Sequence, residues 1–264
     1  MKEAIKEFEK TKDFLICVDS DGCVLDTMDV KHMRCLGPCL VHVWNLEEYR
    51  DEIIRLWRKV NLFSPARGLN RFRGLAKVLA EIHENYVRVE GLSEYIYWVQ
   101  TTREHSDESL EEVFERTGSS CIRKAMEWSN LVNQSMAMIS DKKKQPFDGA
   151  REALESIRSY ADVVVVTAAN GAEIRKDWEA QSLLQYKAIL VSKETGSKAE
   201  CLKKLVQKGY EPGHVLMIGD SPADLKAAKE AGALFLSCAG VSGERILGSI
   251  SGNIEAISEG NLRQ

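Results

Sequence analysis

The sequence predicts an α/β fold: a parallel sheet covered by helices on both faces, with an all-helical segment inserted after the first strand. Three observations favour this fold. Short, nearly continuous apolar runs alternate with helical patterns, which is typical of strands buried on both faces. One long stretch shows helical periodicity alone. Polar residues rich in aspartate follow the apolar runs.

The composition is that of a globular protein and excludes several classes of partner. Hydrophobic residues make up 44% of the 264 residues and charged residues 29%, which is enough apolar material for one large or two modest domains. The net charge of −4 predicts no nucleic-acid surface. The sequence contains no run of 18 apolar residues, so no membrane span is predicted. The N-terminal MKEAIKEFEKTKD is charged and does not resemble a signal peptide.

The seven cysteines are an odd number and are scattered along the chain, so they do not predict a disulfide framework. Cys35 and Cys39 have CxxxC spacing, but no second pair of ligands stands at the distance that a zinc site needs. We therefore expect free thiols in a reducing cytoplasm.

Four apolar runs are the strongest strand candidates, and a fifth is shorter. The strong candidates are Phe14 to Val18, Val163 to Thr167, Val215 to Ile218 and Ala233 to Ser237, and the shorter run is Ala188 to Val191. Helical patterns separate them at Gly149 to Arg158, Gly171 to Ala180, Lys198 to Lys208 and Ala223 to Ala231.

The region after the first strand has a different pattern. Apolar residues recur there at three- and four-residue spacing, for example at Phe72, Leu75, Leu79 and Ile82. We therefore predict an α/β core domain at residues 1–27 and 145–264, and an inserted all-α domain at 28–144.

Polar residues suited to phosphate chemistry follow the strand candidates. Asp19-Ser20-Asp21-Gly22 follows the first strand, and Thr167 ends the second. Asp220-Ser221-Pro222-Ala223-Asp224 follows the third strand, and Lys198 begins the helix before it. Because ligands of open parallel sheets bind beyond the carboxyl ends of the strands, we expect these residues to meet at one edge.

The charges predicted at this edge do not balance without a cation. Four carboxylates, those of Asp19, Asp21, Asp220 and Asp224, would converge with one ammonium group, that of Lys198. Carboxylate oxygens are ligands that Mg²⁺ prefers, and Mg²⁺ is commonly bound by one or two carboxylates together with a substrate phosphate. The sequence therefore predicts a magnesium site.

The same residues predict phosphoryl transfer. Asp19 stands first beyond the strand and is the candidate nucleophile, which would form an aspartyl-phosphate. Asp21 is the candidate general acid and base. Lys198 and Mg²⁺ would neutralise the phosphoryl oxygens. Thr167, the N–H groups of its turn and the N-terminus of the next helix would bind one of these oxygens.

Four motifs in this order resemble those of the haloacid dehalogenase-like (HAD) superfamily of phosphohydrolases. The matching residues are Asp19, Asp21 and Gly22 of DxDG, Thr167 after the second strand, Lys198 before a helix, and Gly219, Asp220, Ser221 and Asp224 of GDSxxD. The resemblance covers residues 14–27 and the region from residue 146 to residue 238. It implies a Rossmann-like core.

The resemblance also implies a role for each acidic residue. Asp19 corresponds to the nucleophile and metal ligand, and Asp21 to the general acid and base, whose backbone carbonyl binds the metal. Asp220 corresponds to a direct metal ligand, and Asp224 to a residue that acts through water or hydrogen bonds. The helical insert is similar to the type 1 cap of the family, which closes over the site and selects the substrate.

The sequence departs from the family pattern in three respects. Cys23 stands where a threonine is common, and a thiol forms only weak hydrogen bonds. The insert is longer than the smallest caps of this type. The tail after Ala239, which begins GVSGERILGS, has no assignment.

Several assignments have alternatives. Asp19 and Asp21 could be turn residues, since Asp-Gly is a turn signal, but a calcium loop is disfavoured because Gly22 comes two positions too early. Lys193 could replace Lys198, and Thr167 could merely end its strand.

Further candidates for substrate binding are less specific. They are Gly22, Ala168 and Asn170 at the strand ends, and Arg67, Arg71 and Arg73 in the insert, where arginines could clamp an anionic group. A turn asparagine and solvated arginines are the alternatives.

The function that the sequence favours is a Mg²⁺-dependent phosphatase that acts on a small phosphorylated metabolite. A phosphomutase similar to β-phosphoglucomutase would carry the same motifs. A catalytically silent protein that binds a phosphorylated ligand is the alternative outside enzymes. The sequence predicts neither the identity of the substrate nor the oligomeric state.

Overall fold

A computed structural model of the chain describes residues 2–211 and 213–238, which form two compact units. One unit takes in the described chain up to Thr27 and from Ser140 onward, and the other is Met28–Ile139. The tail after Ala239 lies outside the described residues. No helix in the described part of the chain is both long and apolar enough to cross a membrane.

The described helices and strands follow one another along the chain as named here. They are α1 (Lys2–Glu7), β1 (Phe14–Val18), α2 (Met28–Lys31), α3 (Gly37–Val43), α4 (Arg50–Leu62), α5 (Arg71–Asn85), α6 (Leu92–Thr101), α7 (Asp107–Thr117), α8 (Ser120–Ala137), α9 (Ala150–Ile157), β2 (Ala161–Val166), α10 (Gly171–Ala180), β3 (Ile189–Val191), α11 (Lys198–Val206), β4 (Val215–Gly219), α12 (Pro222–Ala231) and β5 (Leu234–Ser237). Short helical turns lie at His32–Leu36, Glu47–Tyr49, Asp141–Lys143 and Leu184–Tyr186.

The five strands form one parallel sheet in the order β3-β2-β1-β4-β5, so β1 is central. This confirms the predicted fold class. The register pairs Val18 of β1 with Val165 of β2 on one side and with Ile218 of β4 on the other. The residues that follow these three strands therefore emerge side by side at the carboxyl edge of the sheet.

The two faces of the sheet explain why the strands are almost continuously apolar. Ile16 and Val18 of β1 belong to the apolar cluster on one face, whereas Leu15 and Cys17 belong to the cluster on the other. Successive side chains of a strand point to opposite faces, so a strand covered on both sides needs apolar residues at every position.

The second unit is helical throughout its described elements, as its periodicity predicted. Phe72, Leu75, Leu79 and Ile82 line one side of α5 and are all fully buried. They belong to one apolar core that also contains buried tryptophans from three other helices and a loop, namely Trp44, Trp57, Trp98 and Trp128.

At the amino edge of the sheet, Asp162, a buried residue of β2, binds two neighbouring segments of the chain through hydrogen bonds. Its carboxylate accepts hydrogen bonds from Thr11 N–H (2.9 Å), Thr11 Oγ1 (2.5 Å), Lys12 N–H (3.0 Å) and the Tyr210 hydroxyl (2.7 Å). Burial favours a higher pKa for Asp162, but these hydrogen bonds outweigh it and hold the pKa below its ordinary value. The carboxylate thus joins the segment before β1 and the segment before β4 to β2.

The lowered pKa of Asp162 makes a pH-dependent contribution to stability. The unfolded pKa is about 3.9, so the stabilisation is complete above that pH and is lost as the pH falls through the lower folded pKa. Replacing Asp162 by Asn should lower the free energy of unfolding by about 1–3 kcal/mol at pH 7. The side-chain NH₂ group of the asparagine would face the hydrogen-bond donors that now contact the carboxylate. Urea unfolding at pH 7 and pH 3 measures this difference, which should shrink at pH 3.

The control for this measurement is Asp13→Asn, at an exposed position just before β1, which should leave the free energy of unfolding nearly unchanged. A loss in Asp162→Asn of the same size at both pH values would contradict the role given to the ionised carboxylate.

Candidate functional site

The first feature of the site is a lysine held between two carboxylates. Lys198 Nζ lies 2.8 Å from Asp19 Oδ2, directly after β1, and 2.6 Å from Asp224 Oδ1, in the first turn of α12. The side chains of Lys198 and Asp19 are each 9% exposed, and that of Asp224 is fully buried. The lysine that the sequence predicted therefore joins the end of β1 to the start of α12.

Asp220 completes an acidic cluster with Asp19 and Asp224. One carboxylate oxygen from each of the three residues lies within 4.8 Å of the others. All three residues are buried, with 6% or less of their surface exposed. These are three of the four carboxylates that the sequence predicted to converge.

The orientation of Asp224 follows from the start of α12. Ser221 caps this helix: its Oγ accepts a hydrogen bond from Asp224 N–H (3.3 Å) and donates one to Asp224 Oδ2 (2.6 Å). The backbone N–H of Ser221 donates to the same oxygen (3.1 Å). This reciprocal cap turns the carboxylate back toward the end of β4, which leaves Oδ1 for Lys198.

The charges of the cluster are not balanced by Lys198 alone. Burial raises the pKa of Asp19 to about 8; Lys198 opposes this rise, while Asp224 and Asp220 add to it. Burial alone would lower the pKa of Lys198, but the carboxylates of Asp19 and Asp224 raise it above its ordinary value, so the side chain is an ammonium group. Ionisation of Asp19 at neutral pH therefore calls for further positive charge.

The donor set fits Mg²⁺. It consists of carboxylate oxygens from two residues that directly follow strands, Asp19 and Asp220, and from Asp224 in the first turn of α12, without a soft thiolate or imidazole ligand among the three. Asp19, Asp220 and Asp224 are the side chains that could hold the ion. The carboxylate of Asp21 is not part of this group.

Asp21 instead lies in a tight turn that follows β1. Gly22 has φ 85°, a left-handed conformation that favours glycine, and its N–H donates to Leu25 O (2.8 Å). The hydroxyl of Thr27 donates to Asp21 Oδ1 (2.5 Å). Gly22 thus shapes the turn, and Thr27, which the sequence analysis did not single out as a site residue, holds the carboxylate of Asp21.

Cys23 is buried beneath this turn. Its thiol donates a weak hydrogen bond to Ile218 O (3.7 Å). A hydrogen bond with Cys238 and burial raise the pKa of Cys23 well above its ordinary value, so the side chain is a neutral thiol. The cysteine therefore packs against the end of β4.

Thr167 follows β2 and is buried. Its N–H donates to Val191 O (3.0 Å), and its Oγ1 accepts a hydrogen bond from Ala169 N–H (3.1 Å). Since Val18 pairs with Val165, continuing the register by two residues sets Thr167 level with Ser20. The hydroxyl hydrogen of Thr167 can serve a further oxygen at this edge. Ala168 is half-buried in the same turn.

Asn170 caps α10 rather than presenting its acceptor to a ligand. Its Oδ1 accepts hydrogen bonds from Ala172 N–H (3.0 Å) and Glu173 N–H (3.2 Å). Its Nδ2 donates to Glu194 Oε1 (2.8 Å), and Glu194 Oε2 accepts from Gly171 N–H (3.2 Å). The first three N–H groups of this helix are therefore already bonded within the protein. Binding of a phosphoryl oxygen by the turn after Thr167 and by the start of this helix stays a prediction.

The other cationic candidates differ in what they contact. Lys198, rather than Lys193, is the lysine that lies between the carboxylates of Asp19 and Asp224. Arg67 Nη1 donates to Leu62 O (3.2 Å), Arg71 Nη1 donates to Asn133 Oδ1 (2.7 Å), and Arg73 is exposed. All three arginines belong to the helical unit, and their part in substrate binding stays a prediction.

The arrangement places a buried carboxylate, a fixed ammonium group and a candidate cation site within one unit. The carboxylate Oδ1 of Asp19 accepts a hydrogen bond from Ser20 N–H (2.8 Å), and its Oδ2 accepts from Lys198. Both contacts orient the carboxylate. A dianionic group that approached this edge would meet the positive charges of the lysine and of a bound cation.

The absence of a side chain at Gly219 gives Asp224 the space for its position. A methyl group on Gly219 would lie 2.4 Å from Asp224 Cγ and 2.5 Å from its Cβ. Gly219→Ala should therefore displace the carboxylate from Ser221 and Lys198 and lower the free energy of unfolding by about 1–3 kcal/mol. Chemical denaturation measures this loss.

Gly118→Ala is the control for this substitution. Its methyl group meets no atom within 4 Å and costs only the strain of φ 61°. A protein with Gly219→Ala that is no less stable than wild type would contradict the close packing of Asp224 against β4.

Comparisons with known structures agree with this fold. A haloacid dehalogenase-like hydrolase from Bacteroides fragilis superimposes with a TM-score of 0.54 at 14% identity, over 85% of this chain and 86% of that one. A haloacid dehalogenase-like family hydrolase from Xanthomonas campestris gives 0.53 at 10% identity, over 95% and 98%. A protein described as a β-phosphoglucomutase from Thermotoga maritima gives 0.50 at 17% identity, over 90% and 99%. These likenesses show the fold.

The family follows from the sequence itself. No curated protein matches the chain. The sequence model of haloacid dehalogenase-like hydrolases matches residues 76–238, more than half of the chain, and this range contains Thr167, Lys198, Asp220 and Asp224. Asp19 and Asp21 lie before the matched range. The chain belongs to the haloacid dehalogenase-like hydrolase family.

Proposed function

We propose that this hydrolase is a Mg²⁺-dependent phosphatase that cleaves the phosphate ester of a small metabolite through an aspartyl-phosphate on Asp19. The observation that carries the proposal is the buried contact of Lys198 with Asp19 and Asp224, beside Asp220. Attack on a phosphate ester needs an ionised carboxylate and compensation of the phosphoryl charge, and this cluster is built for both.

In the proposed reaction, an oxygen of the Asp19 carboxylate bonds to phosphorus while the bond from phosphorus to the ester oxygen breaks. Asp21 gives its proton to the departing oxygen. Lys198 keeps the Asp19 carboxylate in place, and the hydroxyl of Thr167 donates to a phosphoryl oxygen. Mg²⁺ would be held by the carboxylates of Asp19 and Asp220 and by the backbone carbonyl of Asp21, with Asp224 acting through water or hydrogen bonds, and it would supply positive charge for the phosphoryl group.

The second half of the reaction releases phosphate. Asp21, now ionised, takes a proton from a water molecule whose oxygen bonds to phosphorus. The bond from phosphorus to Asp19 breaks, which restores the carboxylate. The hydrogen bond from Thr27 to Asp21 Oδ1 supports this role, because it fixes the side chain that must serve as acid and then as base.

The proposal gives the second unit, Met28–Ile139, the part of a cap that selects the substrate. Arg67, Arg71 and Arg73 are its candidates for binding an anionic group of the metabolite. A cytoplasmic location belongs to the same proposal, since all seven cysteines are buried free thiols, as expected in a reducing compartment.

The proposal predicts that phosphate release depends on both Mg²⁺ and Asp19. In the presence of Mg²⁺, wild-type protein should release phosphate from an aryl phosphate and from members of a panel of metabolite phosphates. This release should stop when EDTA removes the Mg²⁺. Asp19→Asn should lower kcat by about 10⁴-fold or more, because the amide is not a nucleophile. Asp13→Asn, an exposed carboxylate at the opposite end of β1, should retain full activity.

Three results would count against the proposal. Phosphate release that persists in EDTA or in Asp19→Asn would exclude the aspartyl-phosphate route. If no substrate of the panel is turned over but a phosphorylated ligand binds equally well to wild type and Asp19→Asn, the silent binding protein is favoured. Transfer of phosphate between positions of a sugar phosphate, without net release, would favour the mutase.

A further inference from the structure

The residue between the two predicted catalytic aspartates is a buried serine with a distant partner. Ser20 is fully buried, and its Oγ accepts a hydrogen bond from Trp178 Nε1 at 2.9 Å. The partners are 158 residues apart in the chain. A buried hydroxyl without a partner is costly, so this contact fixes the relative position of the two residues.

Trp178 is itself fixed on helix α10. It is fully buried in the apolar cluster on one face of the sheet. Its neighbour Asp177, 1% exposed, contacts Lys144 Nζ at 2.7 Å, and Lys144 is 4% exposed. A buried ion pair adds little net stability but is strict in its geometry. Consecutive residues of α10 therefore hold two different segments of the chain.

The segment held by Asp177 lies beside the turn that carries Asp21. The backbone oxygen of Gln145, the residue after Lys144, accepts a hydrogen bond from Asp26 N–H (2.9 Å). Phe147 N–H donates to Val24 O (3.0 Å). Helix α10 thus holds the turn after β1 at both ends. Trp178 contacts Ser20 at its start. Asp177 contacts Lys144, whose neighbour Gln145 is bonded to Asp26 at its end.

We propose that Trp178 is a positioning residue for Asp19 and Asp21, acting through its hydrogen bond to Ser20. This inference rests on the proposed phosphatase function. The backbone of Ser20 separates the nucleophile from the acid and base, so a shift of this one residue moves both carboxylates. Trp178 acts only through Ser20 and contacts neither the phosphoryl group nor the reacting oxygens.

The proposed reaction requires a precise geometry of the two carboxylates. Attack by Asp19 must be in line with the departing oxygen, and Asp21 must reach that oxygen at the same time. A displacement of about 1 Å costs up to about 100-fold in rate, whereas binding of the substrate depends less on it. Loss of the hydrogen bond should therefore lower kcat and leave KM nearly unchanged.

The test is a double-mutant cycle on Ser20→Ala and Trp178→Phe, with aryl phosphate and Mg²⁺. Each single variant should lower kcat about tenfold. The double variant should also lose about tenfold, rather than the product of about 100-fold, because both substitutions remove the same hydrogen bond. Ser20→Ala removes a single oxygen atom, so this variant keeps the test valid even if Trp178→Phe folds poorly.

The matched control is Trp128→Phe in the other unit. Trp128 is also fully buried, and its Nε1 donates a hydrogen bond to Leu36 O at 3.1 Å. The control should lower the melting temperature about as much as Trp178→Phe does, with kcat within about twofold of wild type.

Unchanged kcat in Ser20→Ala, or losses that multiply in the double variant, would overturn the positioning role while leaving the phosphatase proposal intact. Equal loss of kcat in Trp128→Phe would reduce the role of Trp178 to general stability and would overturn the inference as well. Wild-type protein without turnover would contradict the proposed function first, and the inference with it.

Discussion

Three buried carboxylates around one ammonium group are the constraint on which the site depends. Lys198 holds Asp19, directly after β1, and Asp224, in the first turn of α12, and Asp220 adds a third negative charge. Such a cluster is unfavourable by itself, because like charges that are removed from water repel strongly. The fold tolerates it because hydrogen bonds hold the carboxylates of Asp19 and Asp224 in place. A bound cation would bring the further positive charge.

The rest of the unit supports this arrangement. Asp19 follows the central strand β1 and Asp220 follows its neighbour β4, and the two strands end side by side where Val18 pairs with Ile218. The cap at Ser221 turns Asp224 back to the strand end, and the absence of a side chain at Gly219 gives it space. Stable packing of strands and helices thus fixes the charged groups that the proposed chemistry needs.

Much of the fold could be predicted because its signals are local. Each strand is a short apolar run, each crossover helix has its own periodicity, and the four motifs stand at strand ends or helix starts, as Asp19, Thr167, Lys198 and Asp220 do. Parallel strands carry these residues to one edge without further information. The predicted strand bounds differ from the observed ones by at most two residues at either end.

Contacts between distant residues could not be predicted in this way. Lys144 belongs to a run of three lysines that is typical of a solvated surface, yet it is buried against Asp177. The pairing of Ser20 with Trp178 and the use of Glu194 at the start of α10 have no local signal either, because each partner is unremarkable in its own segment. The sequence carries residue types, whereas these contacts depend on how the elements pack.

Binding of Mg²⁺ measured by calorimetry tests the central claim most directly, since it needs no knowledge of the substrate. The account predicts that wild-type protein binds one Mg²⁺ per chain, and that Asp220→Asn, which keeps the fold, loses this binding. Equal binding by wild type and Asp220→Asn, or no binding by wild type, would contradict the claim that the carboxylate cluster is built around a cation.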